Sequence, residues 1–185
     1  MNETELIQKL IEKDETAFRY LIDQEQLKVF RLCVGFLHNK EDAEDIAQEV
    51  FIEVFRSADK FRGESKLSTW LYRIAVNKCL TELQKRKTKN IFTSVQSIFG
   101  LIEPLNKQEP HRQLEQKEQM HVITKAIDNL PENQKIAYTL AKYDDLSYQQ
   151  IAEVMNISLP SVESLMFRAK NNLQKKLINY YKKNN

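Results

Sequence analysis

A chain of 185 residues with 28 Lys and Arg against 26 Asp and Glu has a formal net charge of only +2, too little to announce nucleic acid by itself. A hydrophobic content of 42% is enough for a core, while 29% charge and a mean hydropathy of -0.55 are those of a soluble, cytoplasmic chain. No apolar run nears membrane-spanning length and residues 1–10 are no signal peptide, which argues against membrane insertion; with only 3 Gly and 4 Pro the expected fold class is all-α, as one domain or two small ones.

Leu6, Ile7, Leu10 and Ile11 make a short amphipathic opening helix, and Asp14 can cap a longer one carrying Phe18, Leu21 and Ile22. Val29, Leu32, Cys33, Phe36 and Leu37 continue its apolar stripe to a polar stop at His38 and Asn39. Asn39 can cap the next helix, in which Ala43, Ile46, Ala47, Val50, Phe51 and Val54 share one face. Glu41, Asp42, Glu44, Asp45, Glu49 and Glu53, with Gln48, fall largely on the other. Residue types alone leave that acidic face open as a solvated surface or a docking surface for a protein.

Residues 61–64, FRGE, break the pattern at Gly63, and Ser68 or Thr69 starts a helix holding Trp70, Leu71, Ile74 and Ala75. Here aromatics and cations interleave, at Phe61, Arg62, Lys66, Trp70, Tyr72 and Arg73, and Lys78, Lys85, Arg86, Lys87 and Lys89 follow. Unstacked bases lie on aromatic rings while cations follow phosphates, so the mixture suits single-stranded nucleic acid; a plain core role for Trp70 and Tyr72 competes with it.

Beyond Lys89 the periodicity fades, and Gly100, Pro104 and Pro110 forbid one continuous helix. This stretch reads as a linker, but Ile91, Phe92, Val95, Ile98, Phe99, Leu101, Ile102 and Leu105 make it far more apolar than a free Gly/Ser tether. From about Gln113 a helix returns with Ile123, Ile127 and Leu130 inward, and Pro131 begins another that buries Ile136, Ala137, Leu140 and Tyr143.

Residues 146–170, LSYQQIAEVMNISLPSVESLMFRAK, carry two short helical patterns across a tight polar break. Ser147 with Gln150 is a capping-box start before Ile151, Ala152 and Met155, and Asn156 stands where the backbone must turn left-handed. Ser158 can cap the second helix, with Pro160 in its first turn and Val162, Leu165, Met166, Ala169 and Leu173 inward. Ser161, Glu163, Ser164, Phe167, Arg168 and Lys170 form its other face. Two helices joined so tightly form a helix-turn-helix, whose second helix can enter a major groove; a helical hairpin in a bundle is the plainer alternative.

Cys33 and Cys79 have no second Cys or His at metal-ligand spacing, and His38, His111 and His121 are scattered without a nucleophile motif. No catalytic residue, metal site or cofactor is expected.

Residues 42–55, DAEDIAQEVFIEVF, followed by 61–78, FRGESKLSTWLYRIAVNK, resemble regions 2.2 to 2.4 of the sigma-70 family of RNA polymerase sigma factors, and residues 127–170 look like region 4. The short layout is similar to that of the extracytoplasmic-function (ECF) group. The resemblance implies two small helical domains, region 2 over 1–89 and region 4 over 113–185, joined by a flexible linker over 90–112. It implies that Asp42, Asp45, Gln48, Glu49 and Glu53 dock on the beta-prime clamp helices of core RNA polymerase, and that region 4 meets the beta flap. It implies minus-ten DNA contacts from Lys66, Ser68, Thr69, Trp70, Arg73, Asn77 and Lys78 as the duplex opens, and minus-thirty-five contacts from Ser158, Pro160, Ser161, Glu163, Ser164, Arg168 and Lys170. A monomer acting in a stress or envelope response, with an anti-sigma factor as a further partner, completes the expectation.

The chain departs from the family's pattern at Glu163, where a basic residue is common, at Leu165, where Arg is frequent, at Asn156 in place of a turn glycine, and at Thr81 in place of an acidic residue. Glu163 can accept from cytosine N4 while weakening phosphate attraction. A stand-alone helix-turn-helix regulator is the competing function, but gives the acidic helix and the Trp70 cluster no role; a nucleic-acid-processing enzyme would need a carboxylate or His constellation that the spacing lacks.

Overall fold

The computed structural model of the protein describes residues 1–97 and 111–184. Among these residues there are eight α-helices, one 3-10 turn and no strand. The first group comprises α1 (Glu3–Ile11), α2 (Glu15–Leu37), α3 (Lys40–Ser57), the 3-10 turn Ala58–Lys60 and α4 (Leu67–Ser97). The second comprises α5 (His111–Asp128), α6 (Glu132–Tyr143), α7 (Tyr148–Met155) and α8 (Leu159–Asn184).

Local chemistry sets most helix ends. Asp14 accepts from the Ala17 amide at 2.8 Å to start α2, and Asn39 accepts from the Asp42 amide at 3.0 Å to start α3. Between them His38 adopts φ 53°, a left-handed C-cap. The helix expected from Ser68 or Thr69 begins one residue earlier, because Glu3 on α1 accepts from the Leu67 amide at 2.6 Å and satisfies the helix start from a distance. It also runs on past residue 89 to Ser97: its apolar pattern fades, but no Gly or Pro interrupts residues 67–97. Residues 98–110, with Ile98, Phe99, Leu101, Ile102 and Leu105, lie outside the described residues.

α2, α3 and α4 pack together around Val29, Leu32, Cys33, Phe36, Val50, Val54, Leu71 and Cys79, all fully buried. The second group packs through α8: Ala169 and Leu173 meet Ala126, Ile127 and Leu130, whereas Ile123, expected inward, is 38% exposed. The two groups then close on one another, α6 against α2 and α7 against α4, and one apolar cluster runs through both. Gly35 permits this approach. A glycine inside a helix costs about 0.5 to 1 kcal/mol relative to alanine. Here, however, a Cβ would lie 2.6 Å from Tyr143 Cγ and 2.9 Å from Thr139 Cγ2.

Candidate nucleic-acid interface

The helix-turn-helix forms as its local signals require. Ser147 and Gln150 complete a reciprocal capping box at the start of α7, and Asn156 ends it with φ 54°. The Ser158 hydroxyl accepts from the Ser161 amide at 3.4 Å and lies 2.8 Å from the Ser161 hydroxyl, which holds the start of α8. Val162, Met166, Ala169 and Leu173 are buried and Leu165 is half-buried. Ser158, Pro160, Ser161, Glu163, Ser164, Arg168 and Lys170 are all exposed, and Phe167 stands out at 67% exposure. This polar face offers hydroxyls and one carboxylate to base edges, with cations further along for phosphates.

The helix α4 is arranged differently from what its sequence suggests. Lys66 and Asn77 are exposed, Ser68 is half-buried, and Trp70 is half-buried against Phe61 with ring centroids 5.2 Å apart. Arg73 turns to α7: its guanidinium donates at 2.7 Å to the Glu153 carbonyl and at 3.2 Å to the Val154 carbonyl. Thr69 is buried and its hydroxyl donates to the Glu153 carboxylate at 3.5 Å. Tyr72, also buried, donates its phenolic hydrogen to Asp144. Carbonyls at a helix C-terminus are unpaired within the helix and carry partial negative charge, so they attract a guanidinium much as a phosphate would. Helical periodicity reveals none of these partners, which lie 72 to 84 residues away in the chain.

The acidic face of α3 divides. Asp42 pairs with Arg86 at 2.9 Å, and Glu49 and Glu53 both approach Lys78 at 3.6 Å, so residues expected to face two different partners meet one another. Asp45 and Gln48 are exposed. Beside Gln48 a groove of about 790 Å³ opens between α2 and α3, lined by Phe18, Ile22, Leu27, Phe30, Phe51 and Ile52. Leu27 is 56% and Ile52 48% exposed, an apolar surface of the kind that marks an interaction site. Sequence reasoning missed this groove, although its signal was present: Leu27 and Ile52 fall outside the inward stripes of their helices.

Two carboxyl groups at the junction of the helix groups are shifted in opposite directions. Burial pushes Asp128 up, but His38, 3.4 Å away, and the hydrogen bond from Lys135 outweigh it and hold the group below its usual value. Asp144 is raised from 3.8 to about 7, first by burial, with Glu25 and Asp145 adding to the rise against Lys28 and Arg31. Tyr72 faces it from α4, and a protonated carboxyl can keep that hydrogen bond by reversing it. A carboxyl raised by folding binds an extra proton in the folded state between its unfolded and folded values. Asp144 therefore adds stability that is present at low pH and is lost as pH rises through about 7. Urea midpoints should fall between pH 5.5 and pH 8, and Asp144→Asn should flatten that dependence.

Cys33 and Cys79 are free thiols 3.7 Å apart; their hydrogen bond, then burial, raises the Cys79 thiol. Among the described residues no group of three or more His, Cys, Asp and Glu could hold a metal ion, and no helix is long and apolar enough to cross a membrane.

The Sigma-70 region 2 family model matches residues 21–89, and the Sigma-70, region 4 model matches residues 120–173. The chain is similar to the RNA polymerase sigma-H factor of Pseudomonas aeruginosa, with 34% identity over 178 residues, covering 94% of this chain and 92% of that protein. It is likewise 34% identical over 177 residues to the ECF RNA polymerase sigma-E factor of Haemophilus influenzae, covering 93% of each, and 31% identical over 179 residues to that of Escherichia coli strain K12, covering 93% and 92%. Among solved structures, CnrH in complex with the cytosolic domain of CnrY shares the fold with a TM-score of 0.67 at 18% identity, covering 96% of this chain and 97% of that one. The sigma factor RpoE of Bartonella quintana, solved with the anti-sigma factor NepR, shares it with a TM-score of 0.59 at 21% identity, covering 86% and 96%.

Proposed function

The chain belongs to the sigma-70 family, in its ECF group, and from that premise we propose how this RNA polymerase sigma factor divides its work between its two regions. In region 2, Asp45 and Gln48 on the open side of α3 dock on the beta-prime clamp helices of core polymerase, with the apolar groove beside them, while Asp42, Glu49 and Glu53 flank that surface. The loop before α4 and the residues Lys66, Ser68, Thr69, Trp70, Arg73, Asn77 and Lys78 meet the minus-ten element as it melts. Extruding a base costs a few kcal/mol, so a pocket that receives it selects for sequence. In region 4, the exposed face of α8 reads the minus-thirty-five element in the major groove, and the domain rests on the beta flap. The chain acts in the cytoplasm as a monomer and catalyses nothing itself; an anti-sigma factor holds it, as NepR accompanies the Bartonella protein.

One observation carries this reading: both family regions are matched in one chain, in order, and the helix-turn-helix presents an exposed polar face on α8. A stand-alone regulator would give the region 2 match no role. Run-off transcription with purified core polymerase tests it: transcripts from specific start sites should appear only when the chain is added. Their absence across a panel of promoters, with no capture of core polymerase, would overturn the assignment. At the minus-thirty-five element, Arg168→Ala should weaken binding by about 1 to 3 kcal/mol if the side chain reads a guanine. Equal affinity of the variant across base-substituted duplexes would remove Arg168 from the contacts.

A further inference from the structure

The start of α4 lacks a cap of its own. Lys66, whose carbonyl accepts the first helical bond from the Trp70 amide at 3.1 Å, stands in the cap position, and an ammonium has no acceptor to offer the amides that follow. Its charge is also of the wrong sign for the positive end of a helix. What the local sequence withholds comes from α1: the Glu3 carboxylate accepts from the Leu67 amide at 2.6 Å, 64 residues away in the chain. α1 can hold that carboxylate in place because it is itself fixed. Asn2 caps it by accepting from the Glu5 amide at 2.8 Å, Leu6 and Leu10 are buried, and just beyond its C-terminal end Lys13 donates to the carbonyls of Phe55 and Arg56.

Between α1 and residues 61–66 lies a cleft of about 580 Å³, whose walls include Glu3, Thr4 and Gln8 on one side and Phe61, Arg62 and Lys66 on the other. Thr4, Gln8, Arg62 and Lys66 are exposed, and at the tip of the loop Gly63 has φ 69° with no atom within 4 Å of where a Cβ would stand. A tip so open leaves the loop's shape to its ends. The first is tied where the Phe61 amide donates to the Ala58 carbonyl at 3.1 Å, and the second is tied by Glu3. We infer that Glu3 is a positioning residue for the minus-ten strand: by holding the Leu67 amide it fixes the loop 61–66, so that Lys66 and the Phe61–Trp70 ring pair are already in place when an unstacked base arrives. This rests on the reading that the loop and α4 meet the melted minus-ten element. A loop ordered beforehand loses less freedom on binding; base contacts gain from that, while phosphate contacts depend chiefly on charge. The sign of the effect is therefore diagnostic. Electrostatics alone has the Glu3 carboxylate repelling phosphates, so that its removal tightens binding to every strand alike. Positioning has the same removal erode the preference for one strand over another.

The full chain, reconstituted with core polymerase, is used to enrich short fluorescein-labelled single strands of DNA from a random pool, after strands held by core polymerase alone are discarded. The enriched strand and a scrambled strand of the same composition are then titrated by anisotropy against polymerase carrying the wild-type chain, Glu3→Ala or Glu3→Gln. Glu3→Ala should cut the preference for the enriched strand about fivefold or more. Glu3→Gln, which keeps an acceptor oxygen and loses only the charge, should retain it. Trp70, the single tryptophan of the chain, gives a second readout in the free protein. Its ring lies against Phe61 with centroids 5.2 Å apart, so Glu3→Ala should make it easier to quench with acrylamide and Glu3→Gln should not. A preference that survives Glu3→Ala, or that falls equally in Glu3→Gln, overturns the positioning role. An absence of preference in the wild-type chain would count instead against the reading that this loop meets bases. Quenching then decides by itself whether Glu3 holds the loop, and an unchanged Trp70 in Glu3→Ala overturns it.

Discussion

Asp45→Arg is expected to reduce run-off transcription by about a hundredfold, corresponding to roughly 2.7 kcal/mol lost from the complex with core polymerase. Asp45 is exposed on α3 beside Gln48, whereas its acidic neighbours Asp42, Glu49 and Glu53 are tied to Arg86 and Lys78 of α4. Reversing Asp45 therefore leaves that network and the core beneath it in place. Placing like charges across an interface costs several kcal/mol, against roughly 0 to 1 kcal/mol for losing an exposed ion pair, so reversal is the sharper probe than neutralisation. Glu49→Arg should add to the loss, but it also sets a cation against Lys78 and mixes two causes. Core-binding titrations should place the Asp45→Arg effect in affinity for polymerase, with the helical circular dichroism spectrum unchanged. Full transcription by the variant would move the docking surface away from this part of α3.

Phe36→Ala is expected to remove about 3 to 5 kcal/mol from unfolding stability. Phe36 heads the fully buried side chains by volume, and it sits on α2 inside the apolar cluster shared by both regions. Against a typical total of about 5 to 15 kcal/mol, such a loss leaves a marginal fold. Phe36→Leu, which keeps most of the volume, should cost roughly 1.5 kcal/mol or less if the core repacks. Urea titrations followed by circular dichroism would read both. A Phe36→Ala midpoint within experimental error of wild type would mean that α2 does not hold the core as described.

The features legible in the sequence are those whose cause is local. Asp14, Asn39, the Ser147–Gln150 box and left-handed Asn156 mark helix ends because each acts within a few residues of itself. The inward faces of α3 and α8 follow from helical spacing. The continuation of α4 to Ser97 was legible only as an absence of breakers, since its apolar periodicity fades first. The exposed face of α8 was read residue by residue, while the burial of Thr69 and the capture of Arg73 were not. Those depend on a second domain, and distant partners leave no period in the sequence. Gly35 was the trace they did leave: a lone glycine inside an apolar helical stripe marks where another element comes close, here through the side chains of Thr139 and Tyr143.

The contact between α4 and α7 has a consequence in the geometry of the DNA itself. The minus-ten and minus-thirty-five elements are centred about 25 base pairs apart, which at roughly 3.4 Å per pair is about 85 Å of duplex. Arg73 of α4 lies 2.7 Å from a carbonyl of α7, in the same helix-turn-helix that presents α8. If α4 meets one element and α8 the other, as proposed, a straight duplex of that length is far longer than a contact between α4 and α7. On the proposed assignment of α4 and α8 to the two elements, engaging both along a straight duplex requires the contact between α4 and α7 to be released.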